Sequence, residues 1–415
     1  MNPNNQRAPE RSSAPPPIRL LNAVAAKAMC AAGKDVSLSL NDLLETAQGR
    51  THLDDPGGRS ALKAFGAQLE SVNREGDLTP FGLFAWRQFL IAKLCNRLRI
   101  VEAVKQFPCI AKQTISRPIV ITGWYRCGTT YLHNLLATHP HLRAPLYWEL
   151  MHPCPAVDPR KVNPKKLIRR TKLANRIHHY LAPDFKYAHS MPAEAPEECL
   201  HLFDNAGMGT TAFFITEAKS FAGWLLEHDL RPGYEFYVLQ LQLLNWLRPG
   251  SRWILKWPYH LWHLDALLGV LTDVMVVHIH RDPRQAILSV CNLAALAREP
   301  FCNQIDRQAL GQFWINYNAI GLERGLAARE RAGTNRILDV DYAELTSNPL
   351  AVIQKVLDRA GLEPDAAWLR SIPTACTENQ ATPAAYPAFS LSQFGLDADQ
   401  IRERFATYID TYDWG

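Results

Sequence analysis

The sequence predicts an α/β protein in which a parallel central sheet is flanked by helices and preceded by a helical N-terminal extension. Three observations lead there. Short strand-like runs recur at 118–122, 253–255, 274–279 and 336–340. The first, Pro118-Ile119-Val120-Ile121-Thr122, is β-branched and bounded by Gly123, which suits a strand buried on both faces. Helical stretches separate the runs, at 128–138, 194–206, 235–248, 259–270, 283–298 and 308–331. Strands alternating with helices argue for parallel neighbours joined by crossovers.

The N-terminal elements read differently. Residues 1–17 end in Ala14-Pro15-Pro16-Pro17 and are polar and proline-rich, the pattern of a disordered tail. From 18 to 116 the spacing is helical: Leu38, Leu40, Leu43 and Leu44 recur on one face. Phe81, Phe84, Phe89, Leu90 and Leu94 follow Pro80, which opens a helix without losing a needed donor. This extension is expected to cover part of the core. The α/β unit is expected over 117–415. Within it, Pro373, Pro383 and Pro387 mark 373–395 as a long loop leading to a last helix that ends near Trp414.

Composition limits the function. The 415 residues are 47% hydrophobic and 20% charged, a folded rather than a disordered balance. The length allows two or three domains, or one elaborated α/β domain. With 45 Lys+Arg against 40 Asp+Glu, the net charge of +5 is too dilute for a general nucleic-acid binder. It remains compatible with a local pocket for an anion. Nine cysteines form no CxxC pair and no signal peptide precedes them, so they read as free thiols in a reducing, cytoplasmic compartment. No stretch reaches the roughly 18–20 apolar residues of a membrane span.

Two βα junctions carry anion chemistry. In ITGWYRCGTTYLHNLLATHP, Gly128-Thr129-Thr130 opens a helix just after a buried strand. Backbone N–H groups at a helix start lack internal partners and point at whatever lies there, which favours an anion. Gly128 permits close approach, Thr129 and Thr130 add hydroxyls, and Arg126 supplies a planar fork for phosphate or sulfate. The GK[ST] of magnesium-dependent nucleotide hydrolases is absent, which argues against an ATPase or a small-molecule kinase. The second junction is HRDPRQAILSVCNL. Arg281 ends a strand and Ser289 lies two turns into the helix that Pro283 begins, so the pair can hold a further phosphate at the carboxyl edge of the sheet.

Here the chain resembles the sulfotransferases that use 3'-phosphoadenosine-5'-phosphosulfate (PAPS), most closely the bacterial branch related to the tyrosylprotein sulfotransferases. The family's 5'-phosphosulfate loop is matched by Arg126-Cys127-Gly128-Thr129-Thr130-Tyr131-Leu132, followed by Leu135-Leu136. Its 3'-phosphate motif is matched by Arg281-Asp282 and Ser289. Its L-K-x-P-x-H stretch is matched by Leu255-Lys256-Trp257-Pro258-Tyr259-His260, and its Y-x-x-L element by Tyr342-Ala343-Glu344-Leu345. The resemblance covers 117–362 firmly and extends more loosely to the N-terminal helices and to the closing SLSQFGLDADQIRERF.

The resemblance implies a P-loop-like sulfotransferase fold and metal-free transfer of a sulfuryl group from PAPS, leaving 3'-phosphoadenosine-5'-phosphate (PAP). Arg126, Cys127, Gly128, Thr129, Thr130 and Tyr131 would hold the phosphosulfate; Arg281, Ser289 and Tyr342 would serve the rest of the cofactor. Lys256 would stabilise the transition state. Two residues compete as general base: Glu149, two residues further along than its counterpart in the tyrosylprotein relatives, and His260. Glu149 among Leu146, Tyr147 and Trp148 would have its proton affinity raised. Glu197 and Glu198 would orient the acceptor or cap a helix. Aromatics between 185 and 262, Trp257 among them, suit a hydrophobic or aromatic alcohol, phenol or amine. A catalytically degenerate binding protein is the rival reading, and homodimerisation stays open.

Three features stand apart. Cys127 occupies a position where the family usually has Ser or Thr; beside an arginine at a helix start, its thiol is expected to tend toward thiolate and to sense oxidation. The segment Asn379–Pro387 lacks the basic residues its relatives carry. His278-x-His280 places two rings on one strand face, with no third ligand spaced to complete a metal site.

Overall fold

A computed structural model describes residues 15–31, 37–250, 252–380, 389–412 and 414. Five strands form one parallel sheet in the order β2-β3-β1-β4-β5. They are β1 (Ile119–Gly123), β2 (Leu142–Arg143), β3 (Arg252–Lys256), β4 (Met275–His280) and β5 (Ile337–Asp341). β1 lies at the centre and pairs with β3 through Ile121↔Lys256 and with β4 through Gly123↔Ile279. All five residues of β1 and all six of β4 are buried, as a sheet covered on both faces requires. Sequence periodicity placed β1, β3, β4 and β5 within a residue or two; it missed β2, a two-residue edge strand too short to carry a period.

Each crossover returns the chain to the amino edge of the sheet, so β1, β3 and β4 all end at the same carboxyl edge. The helix Thr129–Ala137 follows β1, the helix Pro283–Arg298 follows β4, and the helix Tyr342–Ser347 follows β5. Pro283 stands first in its helix, with Asp282 accepting from Arg284 N as N-cap. The stretch 259–270 divides into a 3₁₀ turn, Pro258–His263, and a short α-helix, Leu264–Val270. Of 194–206, only Leu200–Asp204 is helical.

The N-terminal region is helical, with Leu40–Thr51, Arg59–Glu75 and Pro80–Gln106 following a first helix at Pro16–Ala31. Thr79 caps the third of these by accepting from Gly82 N, and Pro80 begins it. This helix reaches into the sheet domain: Lys93 Nζ donates to His201 O (3.3 Å) and Asn96 Nδ2 to Met151 O (3.2 Å). Toward the C-terminus the structure corrects the expected loop. The helix Ala366–Gln380 runs through Pro373. Residues 381–388, most of the segment that lacks the family's basic residues, lie outside the described residues.

Candidate active site

The loop between β1 and its helix sets the site. Gly123 and Gly128 both take positive φ, 149° and 87°. A Cβ on Gly123 would meet Ile279 O at 2.5 Å, and one on Gly128 would meet the Tyr342 ring at 3.0 Å. Only glycine fits either place. Arg126 takes φ 68° without being glycine, a conformation that costs of order 1–3 kcal/mol and is held by the contacts around it. Its Nε donates to Ser289 Oγ (3.1 Å) and its Nη1 to Ala188 O (3.1 Å), while its own carbonyl accepts from Arg281 Nη1. The Arg281 guanidinium stacks on Tyr342 at 4.1 Å from the ring centre. Residues 126–130, 281–289 and 342, far apart in the chain, therefore meet at one place. The Arg126 guanidinium thus bridges Ser289 and Ala188.

The helix Thr129–Ala137 begins at Gly128, which offers no side chain to cap its first N–H groups. Beside it ends β3. Lys256 is completely buried, and its Nζ donates to Thr130 Oγ1 (3.2 Å) and Glu198 Oε1 (2.7 Å), with Glu197 Oε1 at 3.8 Å. The backbone explains this pairing: Cys199 N donates to Lys256 O (2.9 Å), which draws the extended Glu197-Glu198 segment along the end of β3. Neither glutamate caps the helix that follows, whose N-cap is Cys199. Burial pushes the Glu197 carboxyl up, but His189, Lys256 and His201 outweigh it and hold the group well below the usual carboxylate range. His189 Nε2 lies 3.5 Å from Glu197 Oε1.

Thr130, His189, Glu197 and Glu198 line a cavity of about 570 Å³, within the range of ligand pockets, whereas Lys256 and Ser289 are not on its lining. One wall is polar: Arg126, Gly128, Thr129, Thr130, Arg281 and Tyr342. The lining also carries apolar Phe185, Met191, Leu200, Phe214, Ile215 and Leu293. Glu197, Glu198, His189 and His201 lie on the lining as well. His201, Thr211 and Tyr125 on this lining were not identified as site residues from the sequence. The first two are fastened from behind by buried Asp204, which accepts from Thr211 Oγ1 (3.0 Å) and sits 3.8 Å from His201 Nδ1 and 3.7 Å from buried Lys93 Nζ. The supporting lysine comes from the N-terminal extension, which thus does more than cover the core.

Four expectations are corrected. Glu149 does not line the cavity: Oε1 accepts from Arg143 Nη2 (3.1 Å) and Oε2 from Leu146 N (2.9 Å), so it caps its own helix and pairs with an arginine. His260 also lies away from it, enclosed by Phe203, Tyr237 and Trp257 and bonded through Nδ1 to Tyr234 OH (2.9 Å). Burial pushes its imidazole down to about 3. Trp257 belongs to the same aromatic cluster, 1% exposed, and does not reach the cavity. The Cys127 thiol points under the loop, donating to Trp124 O (2.9 Å), and burial pushes it up to about 12. That is the opposite of a thiolate.

The histidine pair on β4 also differs from expectation. Asp339 on the neighbouring strand β5 supplies the third potential ligand that sequence spacing does not: His280 Nε2 lies 2.7 Å from Asp339 Oδ1. A guanidinium is already placed there, however. Arg329 donates to Asp339 through both terminal nitrogens (2.6 and 2.8 Å) and approaches His278 Nδ1 at 2.7 Å.

With the geometry in place, the chain compares as follows with known proteins. A family model described as "Sulfotransferase family" matches residues 118–366. Sulfotransferase STF1 from Mycobacterium tuberculosis H37Rv is 30% identical, with a TM-score of 0.78 over 90% of this chain and 100% of that one. Sulfotransferase STF9 from Mycobacterium avium is 26% identical, with a TM-score of 0.80 over 91% of this chain and 97% of that one. No curated protein matches the chain.

Proposed function

Given that the chain belongs to the sulfotransferase family, we propose that it transfers a sulfuryl group from PAPS to a hydroxyl or amine of a small, hydrophobic or aromatic acceptor. The observation that carries this reading is the convergence of Arg126, Ser289, Arg281 and Tyr342 around Gly128, beside Lys256. Such a wall suits a ligand with two anionic ends. Arg281 Nε is buried without a partner among the described residues, a donor free for a phosphate oxygen.

In-line transfer requires three things of the protein: neutralising charge on the leaving phosphate, holding the groups in line and taking the acceptor's proton. The helix-start amides at 129–131 and the Thr129 and Thr130 hydroxyls face the 5' end of the donor. Arg281 and Ser289 face the 3'-phosphate, and Arg126 donates to Ser289. Lys256, held against Thr130, is placed to meet the charge that develops on the bridging oxygen. Glu198 is the proton acceptor: it lines the cavity and touches Lys256. Glu197, fixed as an anion by His189 and Lys256, is the poorer base and serves to orient them. The apolar lining from Phe185 to Leu293 receives the acceptor.

Calorimetry with PAP tests the donor assignment. Binding is expected, and Arg281→Ala is expected to weaken it by about tenfold to a hundredfold, the value of a charge-assisted contact. No affinity for PAP would overturn the reading. Incubation with radiolabelled PAPS or ATP and an acceptor panel separates sulfuryl transfer from phosphoryl transfer and from binding alone. Peroxide at neutral pH is expected to leave PAP affinity unchanged, because the thiolate is the reactive form and Cys127 is a buried thiol. A loss of affinity abolished by Cys127→Ser would show otherwise.

A further inference from the structure

The helix Pro164–Leu181, PKKLIRRTKLANRIHHYL, turns apolar side chains outward as well as inward. Its buried face carries Leu167, Thr171, Asn175 and Leu181, while Leu173, Ile177 and Tyr180 are 58%, 54% and 59% exposed. These three stand at i, i+4 and i+7, one stripe along the outer surface. Lys165, Lys166, Arg169, Arg170, Lys172 and Arg176 share the helix with no Asp or Glu. Six cations on 18 residues exceed the net +5 of the whole chain. At 3.6 residues per turn, Arg169 and Arg176 flank the stripe on one side and Arg170 on the other, and Lys166 lies in line with it two turns before Leu173. Lys172 lies at the edge, where it meets Glu194.

We propose that this helix docks the protein on an anionic lipid bilayer, with Leu173, Ile177 and Tyr180 entering the headgroup region and the flanking cations meeting lipid phosphates. Charge complementarity selects the surface, and the exposed stripe selects lipid over nucleic acid, since phosphodiesters alone give large apolar side chains nothing to enter. The position beside the cavity gives docking a consequence. Asn175 Nδ2 donates to Met191 O (2.5 Å), and the His178 ring packs edge-on against Phe185 at 5.2 Å. Both Phe185 and Met191 line the cavity, and Ala188 between them accepts from Arg126. The inner face of the helix thus fastens the cavity rim while its outer face meets the bilayer, where an apolar acceptor partitions. This last step rests on the proposed acceptor class; the docking does not.

Co-sedimentation of the full chain with vesicles tests it. Binding is expected to vesicles of phosphatidylcholine with phosphatidylglycerol, to fall at least about tenfold on pure phosphatidylcholine, and to weaken with salt. Two triple variants, Leu173→Ser/Ile177→Ser/Tyr180→Ser and Arg169→Glu/Arg170→Glu/Arg176→Glu, are each expected to lose at least about tenfold in vesicle affinity. Thermal melts and PAP affinity should stay as in the parent chain, since every altered side chain is exposed. If PAP fails to bind the parent chain while vesicles are retained, the donor assignment falls and the docking stands. Absence of binding to anionic vesicles, binding that both variants keep, or retention on DNA or an acidic protein without vesicle binding would overturn the proposal.

Discussion

Glu198→Gln is expected to lower kcat about 10²–10⁴-fold, the contribution of a positioned general base, while PAP affinity stays within about threefold. The split follows from the geometry. Glu198 accepts from Lys256 at the end of β3, whereas the groups proposed to bind the donor stand on the loop and on Arg281. Glutamine keeps the shape and still offers Lys256 an acceptor oxygen. Lys256→Met is a less direct test, because removing a buried ammonium strands Glu197 and Glu198 beside an apolar side chain, and breaking a buried pair costs about 3–5 kcal/mol. Single-turnover transfer from PAPS, with calorimetry on PAP, reads both quantities. A Glu198→Gln enzyme that turns over at the parent rate removes Glu198 as the base; an equal loss in kcat and PAP affinity makes it a structural support of the loop.

Legibility in the sequence followed how local each signal was. Gly128-Thr129-Thr130 could be read because strand, turn and helix start are contiguous. Arg281 and Ser289 could be read because a strand end and a helix two turns later have fixed geometry. That both lie against Tyr342 depends on β1, β4 and β5 being neighbours, and sheet order is not written in any segment. The same gap hid Asp339 from His278 and His280. Glu149 misled for a different reason: its apolar sequence neighbours suggested a raised proton affinity, but Arg143 folds back on it and its own helix start bonds to it. His189, His201 and Thr211 come from a stretch, 185–215, of short helices without a period, so nothing local marked them. The basic helix Pro164–Leu181 was averaged away by a whole-chain charge. A window of helix length would have found its cations, though not the outward turn of its apolar stripe, which packing decides.

Acid is expected to unfold this protein through its histidines before its carboxylates. Burial pushes His133, His260 and His263 each down to about 3 from an ordinary 6.5; Lys256 adds to the effect at His133, and Arg324 and His260 at His263. Each ring is neutral in the fold and takes a proton near 6.5 once unfolded. The unfolded chain therefore binds more protons between these values, and stability present above about pH 6.5 is lost as pH falls toward 3. Each histidine contributes a limiting slope of about 1.4 kcal/mol per pH unit, so three together reach about 4. Between pH 7.5 and 5.5 the loss from these three integrates to about 4 kcal/mol, a large share of the 5–15 kcal/mol typical of a folded domain, and His152, His178 and His278, also pushed down by burial, add to it. Glu197 and Asp339, both held below the usual carboxylate range, act in the same direction. Their contribution starts to fall only below about pH 4.5, after the histidines have acted. Denaturant melts at pH 7.5, 6.5 and 5.5 should show the loss, and His260→Gln should remove one histidine's share of it, about 1.4 kcal/mol, since a neutral amide has no proton to gain. A stability profile flat over that interval would mean that these rings are hydrated or charged in the fold, and with it the aromatic cage around His260 would have to be abandoned.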